Sequence, residues 1–253
     1  AKGMDKVYQL AANMGGIGFI AYHNSDVLYD NVCINANTAE AAKKNGVKKL
    51  FYSSSACIYP IYKQEKANLV ALKESDAYPA DPDNEYGWEK LFSERLYKSY
   101  GDFYQVRIAR FHNIFGPEGT YDGGREKAPA ALCRKIALAK EGDIIEIWGD
   151  GQQTRSFCLV DDCIEGVYRL MNSDFKDPLN IGSDRLVTMN QMADIISNIA
   201  GKKLKKNHLL DKPQGVRGRN SDNTLCKKVL NWEPKISLEE GLDKTYKWIK
   251  KQL

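Results

Sequence analysis

The sequence contains no apolar run of 18 residues and no basic-then-apolar leader, and its six cysteines include no CxxC pair. A membrane-spanning helix needs such a run, so no membrane partner is expected, and no secretion signal either. Unpaired, scattered cysteines offer neither a disulfide framework nor a zinc pattern, which points to a reduced, cytoplasmic setting and to no metal. One-sided charge is also missing: 37 basic residues face 33 acidic ones, for a net charge of +4. Without a basic stripe interleaved with aromatics, no nucleic-acid partner is expected. The basic clusters Lys202 to Lys206 and Lys247 to Lys251 read as solvated helix faces.

A dinucleotide fingerprint is absent as well. Gly15-Gly-Ile-Gly18 follows the apolar run Asp5 to Ala12 but lacks the G-x-G-x-x-G spacing. It reads as a strand-to-helix loop lining a ligand.

What is present is an alternation of strands and helices in a 253-residue chain that is 43% hydrophobic, enough for a sizeable core. Asp5 to Ala12 suits a buried strand, and Asp30 to Asn45 is an alanine-rich helix stopped by Gly46. Val47 to Pro60 is a second buried strand that ends in three serines and a cysteine. A polar loop to Pro82 precedes a helix from about Glu85 to Gly101, with Phe92, Leu96 and Tyr100 four apart, and Tyr104 to Ile108 alternates as the next strand. Such alternation predicts an α/β fold with a parallel, doubly wound sheet. After the glycine-rich loop Gly116 to Gly124, short strands mix with helices, as in a smaller substrate-binding lobe.

Arg155 to Asp161 reads as a strand returning to the main domain, with Asp161 capping a helix that carries Ile164, Val167 and Met171. Thr188 to Gln191 and Ser237 to Glu240 both fit the capping box. Leu238, Leu242, Tyr246 and Ile249 form the core stripe of the last helix.

Strand ends of an open α/β sheet are where ligands bind, which makes the Ser53 to Cys57 terminus a candidate site. Tyr86 and Lys90 share one helix face, and an ammonium beside a phenol favours the phenolate. Ser55 is placed to hydrogen-bond the hydroxyl whose proton Tyr86 removes. An ordinary amphipathic helix is the alternative for Tyr86 and Lys90. Cys57 and Lys127 both suit proton exchange near neutrality, against the readings of a small buried cysteine and a solvated lysine.

Ser53-Ser-Ser-Ala-Cys-Ile-Tyr59, Tyr86-Gly-Trp-Glu-Lys90, Arg110-Phe-His-Asn-Ile-Phe-Gly-Pro117 and Arg155-Ser-Phe-Cys-Leu-Val-Asp161 together resemble the extended short-chain dehydrogenases/reductases. With Ala56-Cys57, Gly123-Gly-Arg-Glu-Lys-Ala-Pro129 and Gly215-Val-Arg-Gly-Arg-Asn-Ser-Asp222, the chain is similar, more narrowly, to the GDP-mannose 3,5-epimerases. That resemblance implies an isomerase acting on GDP-mannose or a related nucleotide sugar, with NAD transiently oxidising sugar carbon 4; another nucleotide-sugar epimerase or dehydratase of the same group, or a non-catalytic nucleotide-sugar-binding fragment, is the alternative. Tyr86 would be the base, Ser55 its helper and Lys90 the holder of the nicotinamide ribose. Cys57 and Lys127 would exchange protons at carbons 3 and 5. Gly15, Asn113, Glu126, Ala128, Lys135, Gln153, Arg155 and Arg219 match positions that hold the GDP-sugar. Surface ion pairs are the alternative for Arg155 and Arg219, and a surface charge for Lys135. His112 matches no catalytic position and reads as a structural, hydrogen-bonded histidine. A homodimer is implied by the same resemblance.

Two departures accompany it. Asn13 stands where similar chains have aspartate, and the family's first strand, glycine-rich pyrophosphate loop and ribose-binding acid are expected before Ala1. The expectation is therefore an incomplete Rossmann-like sheet. Residues 1–112 would form a partial cofactor domain and 113–253 mainly the substrate lobe, with about 155–183 returning to the first. NAD binding by the chain alone is expected to be weak.

Overall fold

The computed structural model describes residues 1–253. In chain order it contains β1 (Lys6–Gln9), α1 (Ile17–Tyr22), α2 (Asn24–Lys44), β2 (Lys49–Ser55), α3 (Glu85–Ser99), β3 (Gln105–Phe111), β4 (Ile114–Phe115), α4 (Ala128–Leu138), β5 (Ile144–Trp148), β6 (Thr154–Ser156) and β7 (Cys158–Leu159). There follow α5 (Val160–Asn172), β8 (Leu179–Ile181), β9 (Leu186–Thr188), α6 (Met189–Ala200), β10 (Lys205–Leu209), β11 (Gly218–Arg219), α7 (Thr224–Leu230) and α8 (Leu238–Gln252).

The main sheet has the order β1-β2-β3-β8 and is parallel throughout. Helices cover the inner strands on both faces, so β2 and β3 are nearly continuously buried, as parallel sheets require. The registers Gln9 with Tyr52, Ser55 with Phe111 and Phe111 with Ile181 bring all four strand ends to one edge. A second core, built largely by α4, α6 and α8 with β5, includes Leu132, Ile136, Met192, Ile196 and Leu242. Three small sheets, β5 with β10, β4 with β7, and β11-β6-β9, form the rest.

Several elements differ from the sequence expectation for identifiable reasons. The run from Asp5 contributes only four strand residues and buries only Gln9, because β1 pairs on one side alone. Helix α2 begins at Asn24 and packs Val27, Asn31, Asn35, Ala39 and Ala42 inward, so two asparagines belong to its buried face. In α3 the apolar stripe is not the buried one: Phe92 is exposed, whereas Glu89, Lys90, Ser93, Glu94 and Tyr97 face inward. They do so because their polar partners wait there. Glu94 takes hydrogen bonds from Ser54 and Arg110, and Glu89 from Asn35 and Ser93.

The expected strand Arg155 to Asp161 is two short pieces, β6 pairing with β9 and β11 and β7 with β4, and β8 is the strand that joins the main sheet. Leu159 occupies the N-cap of α5, not Asp161, and Ile164 points to solvent. The neighbouring Asp162 is buried and accepts from the Lys235 and Ile236 amides. Lys202 to Lys206 is a short connection and a strand start; there Lys202 donates to three carbonyls at the end of α4, where a cation offsets the helix dipole. The Thr188 capping box is complete, whereas at Ser237 only the serine half is made. The stripe of α8 is buried as expected.

Candidate active site

A cavity of about 650 Å³ lies at the carboxyl ends of β1, β2 and β3, walled on the far side by the second lobe, and its size suits a small-molecule ligand. Every site residue named from the sequence lines it. Residues from 15 to 219 are thus brought to one place.

Ser55 ends β2, and its hydroxyl accepts from the Cys57 amide at 3.2 Å, which caps a short 3-10 turn over Ala56–Ile58. That cap places the Cys57 side chain just past the strand end. Helix α3 then closes against it: Asn84 caps the helix through the Gly87 amide at 3.0 Å, and Gly87 abuts the Cys57 carbonyl. A Cβ at position 87 strikes that carbonyl and comes within 2.8 Å of Pro82. Gly87→Ala should therefore push α3 off the Cys57 turn, at a cost of about 1–3 kcal/mol. Chemical denaturation measures the loss, and an unchanged midpoint would show that the turn yields freely.

Tyr86 and Lys90 sit one helical turn apart on this face. Lys90 is almost fully buried and donates to the Ser53 carbonyl at 3.0 Å, with its ammonium 4.9 Å from the Tyr52 ring centroid and 5.5 Å from that of Tyr86. Burial lowers the Lys90 pKa, the Glu89 and Cys57 charges oppose that, and Lys127 adds to it. The Tyr86 phenol is not depressed as its helical partner suggested. Burial raises it, with the Cys57 and Glu89 charges adding to the rise and the Ser55 hydroxyl working the other way. Desolvation outweighs one ammonium already committed to a carbonyl.

Lys127 opens α4 at its N-cap position, on a loop moored to the 13–19 segment. Gly16 donates to the Arg125 carbonyl at 3.0 Å, Arg125 donates to Asn13 at 2.8 Å, and its guanidinium lies 3.9 Å over the Phe19 ring. Lys127 keeps exposed surface on the cavity, yet the protein around it desolvates its ammonium and lowers its pKa, against the pull of the Cys57 charge. Arg219 is buried and donates to the Cys57 sulfur at 3.1 Å, to Gln64 at 2.6 Å and to Asp83 at 3.4 Å.

Arg155 has main-chain partners only, the Thr154 carbonyl at 2.7 Å and the Gln214 carbonyl at 3.2 Å. Its charge has no carboxylate in contact, which suits an anionic ligand. Lys135 is already engaged by Glu146, through its carbonyl at 3.1 Å and its carboxylate at 3.8 Å. Gln153 spends its amide N–H on the Trp148 carbonyl and keeps a buried, unpaired Oε1. Asn113 adopts a left-handed φ of 48° and donates to the Ser156 carbonyl at 2.8 Å. Glu126 accepts from the Gly124 amide at 2.7 Å.

His112 lies beneath the site, fully buried, with Nε2 3.0 Å from the Asn180 carbonyl oxygen of the side chain. Burial holds its pKa down to about 3, with Arg219 and Arg110 adding to the fall and Asn180 opposing it. The unfolded chain binds that proton near pH 6.5, so the stability contribution is complete above this pH and is lost as pH falls toward 3. Stability should drop by roughly 2 kcal/mol between pH 7 and pH 5 through this one group. Comparing thermal midpoints of the native chain and His112→Gln across that range checks it, since the variant should lose much of the slope.

Sequence reasoning missed Gln64 and Asp83. Both hydrogen-bond Arg219, more than 130 positions away, so no local spacing marks them.

The match to the model of the NAD dependent epimerase/dehydratase family spans residues 1–182. The chain belongs to that family. GDP-mannose 3,5-epimerase of Arabidopsis thaliana is 55% identical over 254 aligned positions, covering 100% of this chain and 67% of that protein. GDP-mannose 3,5-epimerase 1 of Oryza sativa subsp. japonica is 55% identical, covering 99% of this chain and 66% of its own length, so the chain spans about two thirds of these relatives. GDP-L-fucose synthase of Sinorhizobium fredii is 32% identical over 95% of the chain and 77% of that protein. Among solved structures, UDP-glucose 4-epimerase of Thermotoga maritima with UDP-glucose superposes with a TM-score of 0.84 at 26% identity, covering 98% of this chain and 78% of that one. UDP-glucuronic acid 4-epimerase of Bacillus cereus, in complex with UDP-glucuronic acid and NAD, gives 0.83 at 26% identity, covering 98% and 76%. The fold is accordingly the Rossmann-like α/β fold of these NAD-dependent enzymes.

Proposed function

We propose that the chain carries the reaction centre of a GDP-mannose 3,5-epimerase, which inverts carbons 3 and 5 to give GDP-L-galactose and GDP-L-gulose. The observation that carries this reading is the meeting of Cys57, Lys127 and Tyr86 in one cavity, beside a guanidinium without a carboxylate partner. The 55% identity to plant GDP-mannose 3,5-epimerases supports it.

The residues present fit the nicotinamide end of NAD. Lys90 is a buried ammonium with one of its three N–H groups spent on Ser53, and the others suit ribose hydroxyls facing the cavity. The chemistry that bound NAD would supply there is reversible acceptance of a hydride from sugar carbon 4. Tyr86 accepts the proton of the carbon-4 hydroxyl as a phenolate, a state that its burial disfavours and that the positive charge of a bound nicotinamide would favour, while Ser55 hydrogen-bonds the same oxygen. With carbon 4 at the ketone level, the adjacent C–H bonds become acidic. Cys57 and Lys127 then take a proton from one face of the ring and deliver one to the other. The electron pair of each broken C–H bond moves into the enolate and returns on reprotonation. Arg155 and Arg219 would bind the GDP portion, with Gly15, Asn113, Glu126, Ala128, Lys135 and Gln153 around the sugar and nucleotide.

Residues 1–112 would form the cofactor side, with about 155–183 joining it, and the remainder of 113–253 the substrate lobe. Sheet β1-β2-β3-β8 and the separate core of α4, α6 and α8 support that division. A cytoplasmic location is proposed, supported by six cysteines that form no disulfide.

A homodimer is proposed too. Tyr29 on α2 and Trp88 and Phe92 on α3 stay exposed on two helices packed side by side, an apolar surface that supports pairing. Sedimentation should give twice the 28.5 kDa chain mass, and a monomer at micromolar concentration would refute it.

The function is tested by incubating the protein with GDP-mannose and NAD in heavy water. Deuterium at both carbons 3 and 5 is expected. Label elsewhere would assign a sister reaction, and no label despite sugar binding would make the chain a binding protein.

A further inference from the structure

Gln64 lies outside the cavity wall and is fully buried. Its Nε2 donates to the Tyr59 carbonyl at 2.9 Å and the Pro60 carbonyl at 3.3 Å, and its Oε1 accepts from Arg219 Nε at 2.6 Å. Its main-chain carbonyl accepts from the Gly218 amide at 3.1 Å. One residue therefore ties the segment that follows Cys57 to β11. The approach is so close that a Cβ at Gly218 would strike the Lys66 carbonyl.

The consequence falls on the guanidinium. With Nε held by Gln64 and one Nη by Asp83, the remaining Nη is aimed at the Cys57 sulfur, 3.1 Å away. We propose that Gln64 is a positioning residue for proton exchange, holding the Arg219 guanidinium against the Cys57 sulfur so that the sulfur is ready to accept a proton.

A cation in contact favours the thiolate, and an arginine free to change rotamer gives up much of that effect. The other charged groups facing Cys57 do not replace it. Lys90 is spent on the Ser53 carbonyl and Arg155 on main-chain carbonyls, Lys127 is carried by the separate loop before α4, Tyr86 is a phenol, and Asp83 is an anion that faces Arg219. Arg219 is the group that hydrogen-bonds the sulfur.

The inference rests on the reading of Cys57 as a proton-exchanging group, but its test needs no turnover. Peptide-resolved alkylation of Cys57 by iodoacetamide is followed against pH in the native chain, Gln64→Met, Gln64→Asn, Arg219→Gln and the Gln64→Met/Arg219→Gln double variant. Both Gln64 variants should slow alkylation at neutral pH by roughly tenfold, because the sulfur loses its fixed cationic contact. Two variants are used so that one misfolded protein, recognised by its circular dichroism, does not decide the result. The double variant should match Arg219→Gln alone, because Gln64 acts through Arg219. A Gln64 profile that superimposes on the native one, or a shift that adds to that of Arg219→Gln, would overturn the proposal. Failure of deuterium exchange with the alkylation shift intact would instead count against the epimerase reading alone.

Discussion

Cys57→Ala should lower proton exchange from the sugar by about 10²–10⁴-fold, the range that a positioned acid or base supplies. Nucleotide-sugar binding should stay close to that of the native chain, because the side chain removed is small. Ser55 remains to cap the turn, and Tyr86 and Lys90 remain on α3, so the hydroxyl-proton step at carbon 4 keeps its residues. Deuterium uptake read by nuclear magnetic resonance, set beside a binding isotherm for GDP-mannose, separates the two effects. Cys57→Ser is the sharper companion: it keeps the shape but offers a hydroxyl that ionises far less readily than a thiol. If either variant exchanged at the native rate, Cys57 would be a packing residue and the base would lie elsewhere in the cavity.

The second large effect concerns stability. Glu94→Leu should destabilise the protein by about 3–5 kcal/mol, the cost of leaving a buried charge without its partner. Glu94 and Arg110 are each only 4% exposed and form a two-pronged pair, at 2.9 Å and 2.8 Å. The same carboxylate also accepts from Ser54 at 2.5 Å. Burial opposes the Arg110 charge and the Glu94 carboxylate outweighs it, raising the Arg110 pKa. Without Glu94 the guanidinium keeps only the Glu74 carbonyl and the Tyr59 hydroxyl. Against a usual net stability of about 5–15 kcal/mol, that loss is severe. Urea unfolding measures it. Glu94→Leu/Arg110→Met should recover much of the deficit, since an apolar pair of similar volume removes the stranded charge. A double variant as unstable as the single one would mean that Glu94 serves chiefly Ser54 and the sheet.

That pair also separates what was legible beforehand from what was not. Parallel α/β architecture followed from apolar run lengths and glycine stops, which are local properties. The proposed reaction centre was legible for a related reason: Ser55 with Cys57 and Tyr86 with Lys90 lie within one turn or one strand end, so backbone geometry alone presents each pair together. The buried face of α3 was not legible. Apolar spacing singled out Phe92, yet the helix turns Glu89 and Glu94 inward, because Asn35, Ser54 and Arg110 supply partners from three other elements. Burial of a charge is decided by who meets it, and that meeting is not encoded in any window of sequence.

By itself, then, the sequence determined the alternation of elements, the family to which the chain belongs and the candidate groups for proton transfer. Only the tertiary structure decided their state. It seats Arg219 on the Cys57 sulfur through Gln64, raises the Tyr86 phenol by enclosing it, and moors the Lys127 loop to the 13–19 segment through Arg125. Side-chain chemistry is carried by residue type, whereas its strength depends on desolvation and on neighbours that arrive from distant parts of the chain.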